Sequence, residues 1–320
     1  MPTTNNVVLG TAVGFSEDDL KPFVISIRDS GYAGLVCLFC DRTTAAKSAW
    51  IDPYKIKMIP IDEKYPFAKA FKPNPQDDPE LMEEASIHVR RYPLYRMFLQ
   101  QQGSVFQRVL FTDVRDVVFQ REPFAYQFPD ADLWFVFEDQ SMTIGKCAIN
   151  SLWTREVFGE EVLKGLSRCK ISCSGTVYGT YAGIMDYLDA MISEFIARRV
   201  THHDQAVHNY LIHTGVLSRY HVFSNEAGPV LTLHHRARAL KTNARRELLN
   251  DKGDVALLVH QYDRDLVLSW RIQARYISLR SRMLYLANRI RWAGHRELRD
   301  YIYRIWRLHL SNLAYLSSKI

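Results

Sequence analysis

Two aspartates, Asp113 and Asp116, stand three positions apart, directly after the apolar run Arg108–Thr112 and directly before Val117–Phe119. Two hard carboxylates brought close together can bind Mg²⁺ or Mn²⁺. Such an ion bridges the phosphates of a nucleotide and offsets charge on a leaving diphosphate. Short acidic motifs also arise by chance, and the plain alternative is a polar turn with Arg115 as a local ion-pair partner. The apolar residues tight on both sides argue against a merely solvated turn. Two more groups have suitable chemistry. His260 ends the apolar run Ala256–Val259, and a neutral imidazole is an acceptable Mn²⁺ ligand beside carboxylates. Asp204 and Gln205 open a helical stretch, His203 to His213. Taken alone, Asp204 is a helix cap, a role compatible with catalysis.

The elements that must position these groups read as an α/β domain. Val7–Leu9 is a short apolar strand that runs into the loop Gly10–Gly14. Ser16 and Asp19 have capping-box spacing, and Leu20, Phe23, Val24 and Ile27 follow at helical intervals. Gly34–Phe39 and Lys57–Ile61 read as the next strands, and this β-α-β-β progression predicts a parallel sheet with right-handed crossovers. Lys64–Pro79 reads as an exposed loop. Leu81–Gln101 is a predicted helix, broken near Tyr92 and Pro93. Leu133–Phe137 and Ser172–Tyr178 are further predicted strands. Ligands of open α/β sheets bind beyond the carboxyl ends of strands. Three polar sets sit at such ends: the loop after Leu9, the Asp113–Asp116 pair and His260.

In this order the segments carry a resemblance. Arg108–Phe124 resembles the metal-binding strand and loop of GT-A glycosyltransferases, in particular the retaining enzymes of the glycosyltransferase 8 type. This chain has DxxD where those enzymes have DxD; Asp116 matches the second acid of the motif, and Asp113 is the less direct match. Leu94–Leu99 is similar to the helix that presents an arginine to the sugar nucleotide, which makes Arg96 the candidate. Ser172–Thr176 is similar to the small-residue strand that lines the sugar site, and Asp204-Gln205 to a pair that opens a helix beside it. Val255–Asp263 resembles the late strand whose histidine completes the metal site. Tyr262, Asp263 and Arg264 replace the Gly/Lys stretch usual after that histidine, so its diphosphate contacts do not carry over.

The resemblance spans about Val7 to Arg264. It implies a GT-A, Rossmann-like mixed sheet flanked by helices. It implies Mn²⁺ or Mg²⁺ on Asp113, Asp116 and His260, and donor contacts from Thr11, Ala12, Arg96, Asp113, Ser174 and Gly175. Asp204 would touch the donor sugar or acceptor, and Gln205 would sit near the anomeric carbon. The implied substrates are a nucleotide-sugar donor and a glycan or lipid-linked glycan acceptor, as in bacterial-type surface polysaccharide synthesis. Retention of configuration follows from the resemblance alone. Two alternatives stay open. A nucleotidyltransferase on sugar phosphates also uses paired acids and a metal, but usually shows a Gly-rich loop with a lysine near the first strand, and Gly10–Gly14 lacks that lysine. A membrane-recruited, non-catalytic scaffold is the other.

Composition frames this reading. The 320 residues are 47% hydrophobic and 24% charged, which excludes wholesale disorder and a disulfide-dense scaffold. The net charge is +6, but it is uneven. Residues 270–320 carry eleven cations against Glu297 and Asp300, and the first 269 residues are slightly acidic. The chain therefore divides into a catalytic domain over 1–265 and a basic helical extension over 266–320. Tyr276, Leu279, Met283, Leu286 and Ile290 form one apolar stripe of that tail, and Leu298, Ile302, Ile305 and Trp306 another. Either the stripes pack on the body, or the tail lies on an anionic membrane surface. No zinc-finger or RNP motif supports a nucleic-acid partner. The start lacks a secretory pattern, no apolar run is long enough to span a membrane, and five cysteines are an odd number. The expected location is cytoplasmic, and a tail that lies on an anionic surface would make the protein peripheral on the inner membrane face. Cys37 and Cys40 have CxxC spacing but read as core strand residues. The cluster His202, His203, His208 and His213 lacks a third ligand at a usual zinc interval. The basic run His234–Arg246 reads as a lid over a diphosphate or as a solvated helix face.

Overall fold

The computed structural model describes residues 5–61, 78–236 and 239–292. The second apolar stripe, Leu298 to Trp306, and most of the Lys64–Pro79 loop lie outside the described residues. The strands are β1 Asn6–Thr11, β2 Leu35–Cys40, β3 Lys57–Pro60, β4 Arg108–Thr112, β5 Val117–Phe119, β6 Leu133–Val136, β7 Thr176–Thr180, β8 Tyr220–Phe223, β9 Val230–Thr232, β10 Lys241–Thr242, β11 Leu248–Leu249 and β12 Leu258–His260. Seven of them form one sheet in the order β3-β2-β1-β4-β7-β6-β8. The first four run parallel, as the β-α-β-β reading predicts. β7 lies antiparallel between β4 and β6, which makes the sheet mixed. A second sheet joins β5, β12 and β9.

Both faces of the large sheet are covered, so its central strands are apolar on both sides. Successive side chains alternate between two cores. Val7, Leu9, Cys37 and Phe39 enter one core, with the helices Ile87–Gln102 and Tyr181–Ala197. Val8, Val36, Leu38 and Cys40 enter the other, with the helix Glu17–Asp29. Three positions along a strand place Cys37 and Cys40 on opposite faces, so the CxxC spacing makes no shared thiol site. The Glu17 helix begins at a capping box: Ser16 Oγ accepts from Asp19 N, and Asp19 Oδ2 accepts from Ser16 N.

Two local expectations are corrected. The break in the predicted Leu81–Gln101 helix falls at Ala85 and Ser86, not at Pro93. One helix ends at Glu84, Ala85 is extended at ψ 145°, and the next runs Ile87–Gln102 through Pro93. Pro93 costs the bond its missing N–H would make, but the helix is buried on almost every side from Val89 to Leu99, and tertiary packing holds it together. The His234–Arg246 run is no helix face. It forms a turn at His234–His235 and enters the β10–β11 ribbon.

The chain separates into two compact units after Gln261. In the second, helices span Leu266–Tyr276 and Leu279–Trp292. Asp265 caps the first, accepting from Leu268 N at 2.9 Å. No helix among the described residues is long and apolar enough to cross a membrane.

Candidate active site

Register brings the first group of residues together. β7 runs against β4 with Thr112 opposite Thr176, so the start of β7 meets the end of β4. There Asp113 N donates to Gly175 O at 2.8 Å. β5 follows Asp116 at once and pairs with β12, with Val117 opposite His260. This register sets the late histidine beside the acidic loop. Asp113, Asp116 and His260 offer ligand atoms within 4.8 Å of one another. His260 Nε2 lies 3.2 Å from Asp113 Oδ2 and 3.7 Å from Asp116 Oδ1. His260 is fully buried, and the Asp113 side chain is 34% exposed.

Gly175 is required by this crowding. A Cβ there would run into Asp113 Oδ2 and stand 2.6 Å from His260 Cε1. Gly10, at the end of β1, has a related role. A Cβ there would lie 2.5 Å from Val114 Cγ2. The tight fit seats the β1 end, with Thr11 and Ala12, against the acidic loop.

A second layer of charge surrounds the acids. Arg91 is buried on the Ile87 helix and bridges two carboxylates. Its Nη1 reaches Asp113 Oδ1 at 2.7 Å and its Nη2 reaches Asp204 Oδ2 at 2.7 Å. Nη2 also donates to Ser174 O at 3.2 Å. Tyr92 OH donates to the same Asp204 oxygen at 3.0 Å. Asp204 opens the helix Asp204–His213 but does not serve as its cap; His203 holds that position in a left-handed conformation at φ 69°. Asp204 Oδ2 instead accepts from Arg91 and Tyr92. Gln205 follows. Its Nε2 donates to Asn150 Oδ1 at 2.9 Å, and its Oε1 faces Ser174 N at 3.4 Å.

Charge sets the protonation here. Burial works against the Asp113 carboxylate, but the Arg91 guanidinium and His260 outweigh it and hold its pKa below the usual range. Burial also works against an imidazolium at His260, yet Cys173, Asp113 and Asp116 move its pKa upward. Without a cation, the cluster is a histidine held against two acids.

Of the residues expected from sequence, the structure gathers Asp113, Asp116, His260, Ser174, Gly175, Asp204 and Gln205. Arg96 sits elsewhere: five residues from Arg91 is about 140° around a helix, and Arg96 Nη1 pairs with Asp189 at 2.9 Å. Arg91 is the residue that sequence reasoning passed over. The near-complete burial of the Ile87 helix left no polar face to single it out. The four-histidine cluster does not assemble. His208 is buried between Tyr187 OH, 2.6 Å away, and Ser172 Oγ, 2.9 Å away, while His213 Nε2 contacts Lys170 O at 2.8 Å.

The mixed sheet and its covering helices have the GT-A glycosyltransferase fold. The galactosyltransferase LgtC, in complex with donor and acceptor sugar analogs, superposes with a TM-score of 0.51 over 85% of this chain and 97% of its own, at 11% identity. An active-site mutant of LgtC superposes over the same shares at 0.50 and 9% identity. Mouse xyloside xylosyltransferase 1 in its apo form aligns over 81% of this chain and 97% of its own, with a TM-score of 0.44 and 12% identity. No family model and no curated protein matches the chain in sequence.

Proposed function

We propose that this protein is a metal-dependent glycosyltransferase that moves a sugar from a nucleotide-sugar donor to a glycan or lipid-linked glycan acceptor. The observation that carries this reading is the convergence of Asp113, Asp116 and His260 on one point, with Arg91 tying them to Asp204. Residues 1–265 form the catalytic domain in this reading, and 266–320 a basic helical extension.

The donor set fits a hard or borderline divalent cation: two carboxylates, one imidazole, and a glycine that leaves room beside them. Asp113, Asp116 and His260 would hold Mn²⁺ or Mg²⁺, which when bound supplies positive charge for the departing diphosphate. The remaining work falls to the protein. Thr11 and Ala12, at the β1 end, flank the nucleotide. Ser174 and Gly175 line the sugar site with little bulk, so the donor can approach the acidic loop closely. Arg91 locks the Asp204 carboxylate in one orientation, ready to accept hydrogen bonds from sugar hydroxyls. Gln205 is held through its amide nitrogen by Asn150, which fixes where its carbonyl dipole stands as positive charge grows at the anomeric carbon. Retention of configuration and a role in surface polysaccharide synthesis belong to this same reading.

The tail supplies the location. On the helix Leu279–Trp292, Leu279, Met283 and Leu284 are exposed among cations. Exposed apolar side chains beside Arg suit an anionic membrane surface, so a cytoplasmic enzyme peripheral to the membrane is the expected arrangement. The full chain should sediment with anionic vesicles and leave them at high salt; equal binding to neutral vesicles would contradict it. The catalytic reading is tested by nucleotide-sugar hydrolysis, with and without Mn²⁺, in the wild type and in Asp116→Ala.

A further inference from the structure

A second set of ligand atoms converges away from the acidic loop. Glu138, His234 and His235 place theirs within 4.8 Å of one another. Glu138 lies two residues beyond β6, and its side chain is 1% exposed. His234 and His235 lie just beyond β9. The backbones are pinned: Glu138 N donates to Ile171 O at 2.8 Å, and Leu233 N to His260 O at 3.0 Å. Arg236 anchors the far side of the turn, with Nη2 2.6 Å from Asp251 Oδ1.

The turn is not built for comfort. His235 has φ 60°, a left-handed backbone uncommon for non-glycine residues, although histidine adopts it more often than most. Such strain persists only where the surroundings impose it. The two imidazoles stack at 3.7 Å between centroids with their planes 23° apart, both beside one buried carboxylate; an imidazole lone pair lies in its ring plane, so one ring must rotate for both to reach a single ion. His234 Nδ1 is 3.7 Å from Glu138 Oε2. That is too long for a hydrogen bond. It is close to the separation of two donors on one tetrahedral ion, about 3.3–3.5 Å from ordinary zinc–ligand distances.

The donor chemistry separates this set from the first. Two imidazoles and one carboxylate form a three-ligand zinc set that leaves a fourth position. Two carboxylates and one imidazole are the harder set and suit Mn²⁺ or Mg²⁺. The second set is also joined to the proposed catalytic amide. His235 Nε2 lies 3.4 Å from Cys147 Sγ, which accepts from Asn150 Nδ2 at 3.2 Å, and Asn150 Oδ1 holds Gln205 Nε2 at 2.9 Å.

We infer that Glu138, His234 and His235 form a second divalent-cation site, of zinc type. Through Cys147 and Asn150 it sets the position of Gln205. Ligands of an ion are oriented by the contacts around them, and here the same contacts run on into the first site. The site stands independently of the glycosyltransferase reading, because it rests on its own donors.

The test is metal-free protein titrated with Zn²⁺ against a competing chromogenic chelator, with Co²⁺ as a visible-absorbing substitute. The wild type, Asp116→Ala, Glu138→Gln and His234→Ala are compared, and folding is checked by circular dichroism. Asp116→Ala should retain one tight equivalent of Zn²⁺ and the ligand-field absorption of four-coordinate Co²⁺. Glu138→Gln and His234→Ala, each made in the Asp116→Ala background, should lose both. Zn²⁺ should raise the melting temperature of Asp116→Ala and leave that of the double variant Asp116→Ala/Glu138→Gln unchanged. If His234→Ala does not fold, Glu138→Gln carries the test, since it keeps the side-chain volume. Equal zinc binding by the wild type and Glu138→Gln would overturn the inference, as would complete loss of zinc in a folded Asp116→Ala.

Discussion

The acidic cluster after β4 and the histidine cluster after β9 stand at the carboxyl edges of two different sheets, yet they are built in opposite ways. The acids of the first are three positions apart in one loop, and only His260 arrives from a distance. The histidines of the second are adjacent, and its carboxylate comes from Glu138, nearly a hundred residues earlier. In the first, a buried arginine pairs with one of the two acids, Asp113, and with Asp204 beyond them. In the second, two imidazoles face one carboxylate. Strand ends in two different sheets thus gather a harder donor set and a softer one. The segment from Lys170 to Gly175 lies between them. Ile171 O holds the Glu138 backbone, and Gly175 O holds that of Asp113.

The largest way to break the comparison is at Arg91. Arg91→Ala leaves the buried Asp204 and the partly exposed Asp113 without their shared cation. Removing one partner of a buried pair costs about 3–5 kcal/mol. We expect a clear drop in melting temperature and loss of donor hydrolysis, while zinc binding at Glu138, His234 and His235 persists in the folded fraction. Thermal denaturation and metal titration read both. A variant that melts like the wild type would deny that Arg91 bridges the two acids.

A smaller disturbance comes from Gly175→Ala. The added methyl meets Asp113 and His260 and must push one aside. Displacing a ligand in this way lowers metal affinity by roughly 10–100-fold. Mn²⁺ titration of donor hydrolysis should show that shift, with Zn²⁺ binding unmoved. An unchanged Mn²⁺ requirement would place the metal elsewhere.

Acid should act next, through the shared segment. His208 is fully buried against Ser172, and burial, with His213 and Arg91 nearby, lowers its pKa from 6.5 to about 3. The unfolded chain therefore binds a proton below pH 6.5 that the folded chain refuses. The contribution of this group is intact above pH 6.5 and is lost as pH falls toward 3. At pH 5 the loss is about 2 kcal/mol. Melting temperature should fall across this window in the wild type and fall less steeply in His208→Gln. Identical slopes would remove His208 from the account.

The smallest effect is expected outside both clusters. Asp189, which pairs with Arg96, has a side chain 57% exposed. The pair lies outside both clusters, so Asp189→Ala should leave donor hydrolysis and Mn²⁺ and Zn²⁺ binding within twofold of wild type. A large loss would return Arg96 to the donor site.

These contrasts also explain what the sequence could reveal. Short continuous apolar runs placed β1, β2 and β4, because a strand buried on both faces is apolar throughout, and that is a local signal. Asp113 and Asp116 were legible because they share one loop at a strand end. Arg91 was not: a helix buried all around has no polar stripe, so Arg90, Arg91 and Arg96 look alike until the fold chooses among them. The helix break at Ala85 and Ser86 was misplaced because Pro93 is the stronger local signal, and packing overrides it. The second cluster was invisible for a different reason. Glu138 and the histidine pair acquire meaning only when β6 and β9 have been placed, and the basic residues after His235 drew attention to charge instead of to metal chemistry.

The central claim is that Asp113, Asp116 and His260 act together in metal-dependent transfer from a nucleotide sugar. Its most direct test is hydrolysis of a panel of nucleotide sugars by the full chain, in Mn²⁺ and in chelator, by wild type and by folded Asp116→Ala. The account predicts a Mn²⁺-dependent activity on at least one donor that falls by on the order of 100–1,000-fold in Asp116→Ala. Full activity in Asp116→Ala, or activity undiminished by the chelator, would contradict it.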